Sequence, residues 1–406
     1  MITFDNSFFF KKEGLNFNNN SKFKKNLNIS ISESCKLLEE HTKGNNEILH
    51  SFTENYQKKI RKLKQIVLHK NKRKVVIGLG GSSSGAKALS FFIKDDIIYL
   101  DNIDYEYFKK FFEKENLSNF FFYIISKSGD TYETLAILNL LLKEGKKNKN
   151  YDIFESLVII TENKKSILKS FSEKNNLKFI EHNPKIGGRF SVLSETGMLP
   201  FLENNIIVED ASEKFLGLLK NNEDELSPAK NIAILLTCLQ EFNLNIYCNL
   251  LYNYRLKHFS YWFYQLHAES LGKNGKGLTP ITSICPKDHH SMMQLYLGGP
   301  RNKFFNLFSP PDETYFDKFD INGFYNIENY TPGELLERQF KAVIEVFTEN
   351  KIPHRIIRLD NHKDPLNLIE LFAYFLLETI LFGKIIGINP YDQPAVQLIK
   401  DKIFKD

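Results

Sequence analysis

The spacing of hydrophobic positions changes near residue 70 of the chain. Residues 1–70 carry apolar side chains at helical spacing on a charged background, which predicts a helical N-terminal segment. Beyond it, short apolar runs alternate with amphipathic segments of helical length. The predicted strands cover residues 75–79, 97–100, 120–125, 157–161 and 178–180, and the predicted helices cover 83–93, 105–115, 131–144 and 165–175. Because strand and helix alternate, we expect right-handed crossovers and a doubly wound parallel sheet over residues 71–205.

The second half of the chain has a less regular pattern of the same kind. Long predicted helices cover residues 250–271, 333–349 and 366–386, and predicted strands cover 281–285, 304–308 and 355–359. We therefore expect a second α/β domain with larger helices over residues 206–386. Residues 387–406 are predicted to form a turn and a last helix, whose first turn tolerates Pro394.

Composition and charge exclude several classes of protein. The chain has 406 residues, 42% of them apolar, which is enough for two domains. Its net charge of +5 is spread along the chain without an arginine patch interleaved with aromatic residues, so nucleic-acid binding is not expected. Four cysteines lack the spacing of a zinc site or a disulfide framework, which indicates a reducing compartment. Charged residues interrupt the longest apolar stretch, residues 368–388, and no signal peptide is recognisable, so we expect a cytoplasmic protein.

The first motif that could carry chemistry is the glycine-rich turn Val76–Lys87, between a predicted strand and a predicted helix. Glycines let backbone N–H groups approach a ligand, and a helix N-terminus favours anions. The spacing matches neither the dinucleotide fingerprint nor the P-loop, since Ala86 stands where the P-loop requires lysine. Gly81 and Ser82 are candidates for contact with a sugar phosphate. The alternative is a tight turn with capping serines.

A second motif, Ser126–Thr134, follows the third predicted strand of the same sheet. Loops at the carboxyl ends of parallel strands meet at one edge, so the two motifs can face one ligand. The composition predicts a phosphate cradle at a helix N-terminus, unless the hydroxyls only cap the helix. Asp130 would repel a phosphate unless it points away as a helix cap. The candidate ligands are Ser126, Lys127, Ser128, Thr131 and Thr134.

The third motif is Ile186–Pro200, which contains a Gly-Gly pair followed by Arg189. The pair lets the backbone pass close to another group. Arginine is always charged and can hold two oxygen atoms at once. Arg189 is therefore a candidate anion ligand, and the alternative is a structural ion pair.

These motifs, in this order, resemble the glucose-6-phosphate isomerase family, in which the chain would be a short, bacterial-type member. The resemblance rests on Gly78–Ser82, Ser126–Thr134 and Gly187–Ser194. It continues through "QLHAESLGKNGKG", "HHSMMQL" and "INPYDQPAVQLIK", so that it covers residues 78 to 400. It implies two SIS-type doubly wound domains of unequal size, a helical N-terminal segment and a C-terminal helical tail.

The resemblance also implies a reaction and the residues that perform it. The reaction is the reversible isomerisation of glucose 6-phosphate and fructose 6-phosphate through an enediolate, in glycolysis and gluconeogenesis. Glu269 is the implied base, for which a partly buried carboxylate is suited. Arg189 is the implied stabiliser of the enediolate, and His290 the implied ring-opening group, with Lys400 near the ring oxygen or O1. Gln393 is a further implied contact, and no metal or cofactor is needed.

The resemblance further implies a homodimer in which His290 reaches the active site of the partner subunit. Departures from the family pattern occur at Leu271, at the repeated Gly275-Lys276, and in the stretch before His290. These departures concern the local backbone conformation more than the implied roles of the site residues. Three alternatives remain open at this point: a bifunctional phosphoglucose/phosphomannose isomerase, a sugar-phosphate sensor without catalysis, and a degenerate relative that binds the sugar phosphate without turnover.

Overall fold

The protein is described by a computed structural model that covers residues 1–67, 71–204, 206, 208, 212–222, 224–311 and 330–403. It divides into two compact units. The middle unit is residues 43–213, and the terminal unit combines residues 1–42 with 214–406. Residues 1–42 of the helical N-terminal segment thus belong to the terminal unit and residues 43–67 to the middle unit, and the separate segment 1–70 stays a prediction. The expected limits at residues 70, 205 and 406 lie outside the described residues.

The strands of the described chain form one five-stranded sheet in each unit. In chain order they are β1 (Ile2–Asp5), β2 (Arg73–Ile77), β3 (Ile98–Leu100), β4 (Phe120–Ile125), β5 (Leu157–Thr161), β6 (Lys178–Glu181), β7 (Ile246–Leu251), β8 (Thr279–Ile284), β9 (Lys303–Phe308) and β10 (His354–Leu359).

The helices include short single turns as well as long amphipathic segments. In chain order they are α1 (Ser7–Phe10), α2 (Ser21–Thr42), α3 (Glu47–His50), α4 (Glu54–Lys62), α5 (Lys64–Val67), α6 (Ser84–Ile93), α7 (Tyr105–Lys114), α8 (Tyr132–Gly145), α9 (Ile167–Lys174), α10 (Glu195–Met198), α11 (Ser212–Gly217), α12 (Pro228–Phe242), α13 (Lys257–Leu271), α14 (Met293–Gly298), α15 (Pro332–Glu349), α16 (Pro365–Ile385) and α17 (Pro394–Lys400).

The sheet of the middle unit is entirely parallel, in the order β3-β2-β4-β5-β6. All five of its strands were predicted, and the doubly wound fold class is confirmed. Every residue of β4 and β5 is buried, as expected for a parallel sheet covered on both faces. Since β2 and β4 are neighbours, with Ile77 opposite Ile124, the two motif loops leave the same edge side by side.

The sheet of the terminal unit has the order β1-β10-β9-β7-β8, in which only β1 runs antiparallel to its neighbour. The prediction of a helix from residue 250 was wrong at its start, because residues 250 and 251 belong to β7 and the helix begins at Lys257. A short, nearly all apolar run fits a buried strand as well as a buried helix. Strand β1 was also not predicted, and it brings the N-terminus into this unit.

Helix α16 contains most of the longest apolar stretch of the chain and is buried from Asn367 to Gly383. It packs within the terminal unit against α12 and α13. Among the described residues, no helix is both long and apolar enough to cross a membrane.

From two buried histidines we predict how the stability of the terminal unit depends on pH. His267 and His354 are 3% and 1% exposed, and burial lowers the pKa of each to about 4. Their unfolded pKa is about 6.5, so below that pH the unfolded chain binds protons that the folded chain rejects. The free energy of unfolding should therefore decrease as the pH is lowered, by about 2–3 kcal/mol per histidine between pH 7.5 and pH 4.5.

Urea unfolding at these two pH values measures the effect. We expect His267→Phe, whose ring can keep the parallel contact with Tyr247, to remove one histidine's share of the loss. His290→Gln, at an exposed histidine, is the matched control and should leave the loss unchanged. If the stability of the His267→Phe protein had the same pH dependence as that of the wild type, His267 would not be a cause of the loss at low pH.

Candidate active site

The first and third motifs meet in the middle unit through their glycines. After β2 the chain makes a 3₁₀ turn over Gly80–Ser82, and α6 begins at Ser84. A Cβ atom at Gly81 would overlap the carbonyl of Gly188, so only glycine permits this approach of two backbones. The Ser191 hydroxyl donates to the carbonyls of both Gly81, at 3.2 Å, and Gly188, at 2.7 Å. The sequence analysis did not single out Ser191, although it lies inside the third motif.

The second motif forms a compact cluster of hydroxyls at the start of α8. The hydroxyls of Ser126 and Thr131 are 2.8 Å apart. The backbone N–H of Gly129 donates to Ser126 Oγ at 3.1 Å, and that of Asp130 donates to Ser128 Oγ at 3.2 Å. Thr131 occupies the N-cap position of α8 without making a capping hydrogen bond through its side chain. Its hydroxyl is thus turned toward Ser126 and not toward the helix.

Asp130 points away from this cluster, as the sequence analysis required. Its Oδ1 accepts a hydrogen bond of 2.8 Å from the backbone N–H of Ile167, the first residue of α9. Gly129 makes this turn possible with a φ of +77°, and its α-carbon lies against Ser166. The carboxylate therefore stabilises the N-terminus of α9.

Thr134 lies deeper than its neighbours in the motif. It is fully buried in the first turn of α8, and its hydroxyl has no hydrogen-bond partner among the described residues. A buried hydroxyl without a partner is costly, so a ligand or a water molecule is needed to satisfy it.

Lys127 and Arg189 form the positive part of the site. The Lys127 ammonium is half-buried, 3.7 Å from the carboxylate of Glu162, which also pairs with Lys164. Burial lowers the pKa of Lys127, and the charges of Lys164 and Arg189 add to this effect against the attraction of Glu162. Arg189 is 2% exposed, with its guanidinium 4.8 Å from the ring centre of Phe190. The three motifs thus converge in the middle unit.

Glu269 lies in the last turn of α13, in the terminal unit. It is half-buried, and the side-chain amide of Gln265, one turn earlier, donates to its Oε1 at 3.2 Å. Glu269 is therefore not fully exposed to solvent, although it lies near the end of a helix.

The repeated Gly-Lys pair after Glu269 has a structural role. The Lys273 ammonium lies 2.8 Å from the carboxylate of Asp392, and the Lys276 ammonium donates to the carbonyl of Ile386 at 2.7 Å. Both lysines thus tie the end of α13 to the segment that leads to Gln393. In the sequence alone the repeat is only a departure from the family pattern, because nothing near either lysine indicates its distant partner.

The two adjacent histidines have different surroundings. His289 is half-buried, and its Nε2 lies 2.6 Å from the hydroxyl of Tyr252. Burial lowers the pKa of His289, and the neighbouring charge of His290 adds to the effect. His290 is exposed at the end of the turn Lys287–His290. The more accessible of the two is thus the residue indicated by the sequence spacing.

The remaining candidates lie in the C-terminal tail. Gln393 lies directly before α17, and Lys400 is the last residue of that helix. Both side chains are exposed. Val396, Leu398 and Ile399 of the same helix are also exposed. In the part of the chain that the structure describes, no group of histidine, cysteine, aspartate or glutamate side chains is arranged to hold a metal ion.

The chain is similar to known proteins over most of its length. The family model described as Phosphoglucose isomerase matches residues 42–291. The chain is 33% identical to a glucose-6-phosphate isomerase of Methanocaldococcus jannaschii over 80% of this chain and 81% of that protein.

Solved structures agree at the level of the fold. A hypothetical protein of Thermus thermophilus superimposes with a TM-score of 0.83 at 26% identity, over 99% of this chain and 98% of its own. A glucose-6-phosphate isomerase of Chlamydia trachomatis superimposes with a TM-score of 0.69 at 20% identity, over 86% and 72% of the two chains.

Proposed function

The chain belongs to the phosphoglucose isomerase family and interconverts glucose 6-phosphate and fructose 6-phosphate, and we propose which of its side chains perform this reaction. The isomerisation moves a proton between C2 and C1 of the opened sugar through an enediolate. It requires an anchor for the phosphate, a base, a cation near the two reacting oxygens, and groups that open the ring.

The hydroxyl cluster at the start of α8 is the proposed phosphate anchor. This cluster is the observation on which our assignment of the active-site residues mainly rests. Hydroxyls and the backbone N–H groups at the start of a fourteen-residue helix favour a dianion. The orientation of Asp130 toward α9 supports this role, since it removes a repulsive charge. Thr134 supplies a buried hydroxyl that a phosphate oxygen would satisfy, and Lys127 adds positive charge. The proposed ligands are Gly81, Ser82, Ser126, Lys127, Ser128, Thr131 and Thr134.

Glu269 is the proposed base. Its carboxylate takes the proton from C2 of the open-chain aldose, which leaves an enediolate, and returns it to C1; with the transfer of the hydroxyl proton from O2 to O1, this forms the ketose. Arg189 is the proposed electrostatic stabiliser, because a fixed, buried guanidinium lowers the free energy of the negative charge that develops on O1 and O2. His290 and Lys400 are the proposed ring-opening groups, and Gln393 is a further contact to the sugar.

The names of the relatives favour isomerase activity over a sensor without catalysis. Assays of the purified chain with glucose 6-phosphate and with mannose 6-phosphate, without added metal, test this function and its specificity. No turnover of either sugar phosphate would overturn it. All four cysteines are free, which supports our proposal that the enzyme acts in the cytoplasm.

We further propose that the enzyme is a homodimer in which His290 serves the active site of the partner subunit. The exposure of His290 supports this, since its neighbour His289 is held by Tyr252. The exposed apolar side chains of α17 are also consistent with a partner.

Subunit complementation provides a specific prediction. Glu269→Gln and His290→Ala proteins should each be inactive, but a mixture that has exchanged subunits should recover about one quarter of wild-type activity. Half of the dimers in such a mixture carry one variant of each kind, and one of their two sites then has both groups intact. Activity is measured after refolding the variants together, and each variant refolded alone is the control. A mixture that stays inactive would show that His290 does not act across a dimer interface.

A further inference from the structure

The segment that carries Arg189 is closed at its base by a buried pair of side chains. His182 directly follows β6, and Glu195 is the first residue of α10, so that residues 183–194 form a loop between them. His182 is 2% and Glu195 5% exposed. Nδ1 of His182 lies 2.7 Å from Oε1 of Glu195. The pair therefore joins the two ends of the loop.

Both oxygens of the Glu195 carboxylate accept hydrogen bonds. Besides the contact with His182, its Oε1 accepts from the backbone N–H of Asn183 at 3.0 Å, and its Oε2 accepts from the hydroxyl of Tyr56 at 2.7 Å. Burial alone would raise the pKa of Glu195, but the hydrogen bonds and charge of His182 and the bond from Tyr56 hold the pKa below its ordinary value. Glu195 is thus a buried, ionised group with three donors.

The imidazole of His182 connects this carboxylate to the loop itself. Its Nε2 lies 2.9 Å from the carbonyl oxygen of Ile186, which can only accept a hydrogen bond. Its Nδ1 faces the ionised carboxylate of Glu195 and, at 3.1 Å, the hydroxyl of Thr196. The ring therefore bridges Glu195 and the backbone just before the Gly-Gly pair.

The other end of this connection is the contact with the first motif. Gly188 lies against Gly81, and Ser191 donates to the carbonyls of both. Arg189 therefore lies between two fixed points, namely the His182 contact at Ile186 and the glycine contact at Gly188 and Ser191. Its own side chain is buried, so small movements of the loop displace the guanidinium directly.

We propose that His182 and Glu195 are positioning residues that hold Arg189 in the geometry the isomerisation needs. The proposal rests on the proposed role of Arg189 as the stabiliser of the enediolate. The pair acts through the loop and is not required to contact the substrate. A misplacement of about 1 Å in such a group can cost a large factor in rate.

Glu195→Gln tests this, because it removes the charge and keeps the shape and an acceptor oxygen. We expect kcat to fall by about tenfold or more, with KM for fructose 6-phosphate changed by less than about twofold, because the phosphate anchor is untouched. Glu181→Gln, at the exposed glutamate directly before His182, is the matched control and should keep wild-type kcat.

The decisive comparison repeats Glu195→Gln in an Arg189→Met background, at high enzyme concentration. If the pair acts through Arg189, the second substitution should have no further effect on kcat. The same loss in both backgrounds would overturn the proposal, since the pair would then act independently of Arg189.

Two further outcomes separate this proposal from the role of Arg189 itself. A normal kcat in Glu195→Gln, with a lowered kcat in Arg189→Met, would overturn positioning and keep the stabiliser. A normal kcat in Arg189→Met would overturn both. If Glu195→Gln does not fold, His182→Gln is examined by the same comparisons.

Discussion

Replacing Glu269 with glutamine is expected to lower kcat by about 10²- to 10⁴-fold, while fructose 6-phosphate binds with nearly unchanged affinity. Glutamine has almost the same size and can still accept the hydrogen bond from Gln265, so the end of α13 should keep its structure. It cannot take a proton from carbon at neutral pH. Turnover is measured in a coupled assay, binding by equilibrium titration, and proton transfer by exchange of the C2 hydrogen with deuterated water.

The exchange measurement makes this prediction specific to the base. If Glu269 moves the proton, turnover and exchange should be lost together. Glu337→Gln is a matched control, because Glu337 is also a half-buried glutamate on a helix, but it pairs with an exposed lysine on α15. It should leave both rates unchanged. Nearly normal exchange in Glu269→Gln would mean that another group is the base.

The sequence predicted the loops of the site better than it predicted their contacts. The glycines of the first and third motifs both indicated a close approach to some other group, and the structure identifies each as the neighbour of the other. Neither motif contains information about its distant partner. That contact depends on how the whole sheet orders its strands, which the spacing of apolar residues does not fix.

Asp130 shows what local chemistry can predict. Its charge is unsuited to a phosphate loop, so a capping role was the alternative that kept the site plausible, and the structure shows it capping α9. Lys273, Lys276, His182 and Glu195 show the opposite. Each is a polar residue in or beside a motif, and its partner lies in another segment or across a loop. Such partners become visible only when the chain is folded.

The same limit applies to the terminal unit. Helices α15 and α16 were predicted almost to their ends, because long periodic segments give a strong signal. Strand β7 was missed because its six residues are nearly all apolar, and it owes its structure to β8 and β9 on either side. Short buried segments are decided by their neighbours and not by their own pattern.

Glu378→Gln is expected to destabilise the terminal unit by about 3–5 kcal/mol, the largest loss of stability that we predict. Glu378 and Arg355 form an ion pair of 2.8 Å and are 4% and 1% exposed. Burial alone would raise the pKa of Glu378, but Arg355 and the hydroxyls of Tyr247 and Tyr374 hold it below its ordinary value. The carboxylate is thus ionised, and its removal leaves the buried guanidinium without a counter-charge.

The remaining partners of Arg355 cannot replace this charge. Its Nε donates to Asn306 at 2.7 Å, and its Nη1 donates to Asn231 at 2.9 Å; both partners are neutral amides. Its other partners are the hydroxyls of Tyr374, 3.1 Å from Nη1, and Tyr247, 2.5 Å from Nη2, which burial keeps neutral by raising the pKa of each well above its ordinary value. The free energy of unfolding, measured in urea, should therefore fall much further for Glu378→Gln than for Glu337→Gln, which breaks an exposed pair worth less than about 1 kcal/mol. A double variant, Arg355→Met with Glu378→Leu, should lose less stability than Glu378→Gln alone, because it leaves no unpaired buried charge. A loss below about 1 kcal/mol in Glu378→Gln would mean that water or a shifted neighbour compensates Arg355.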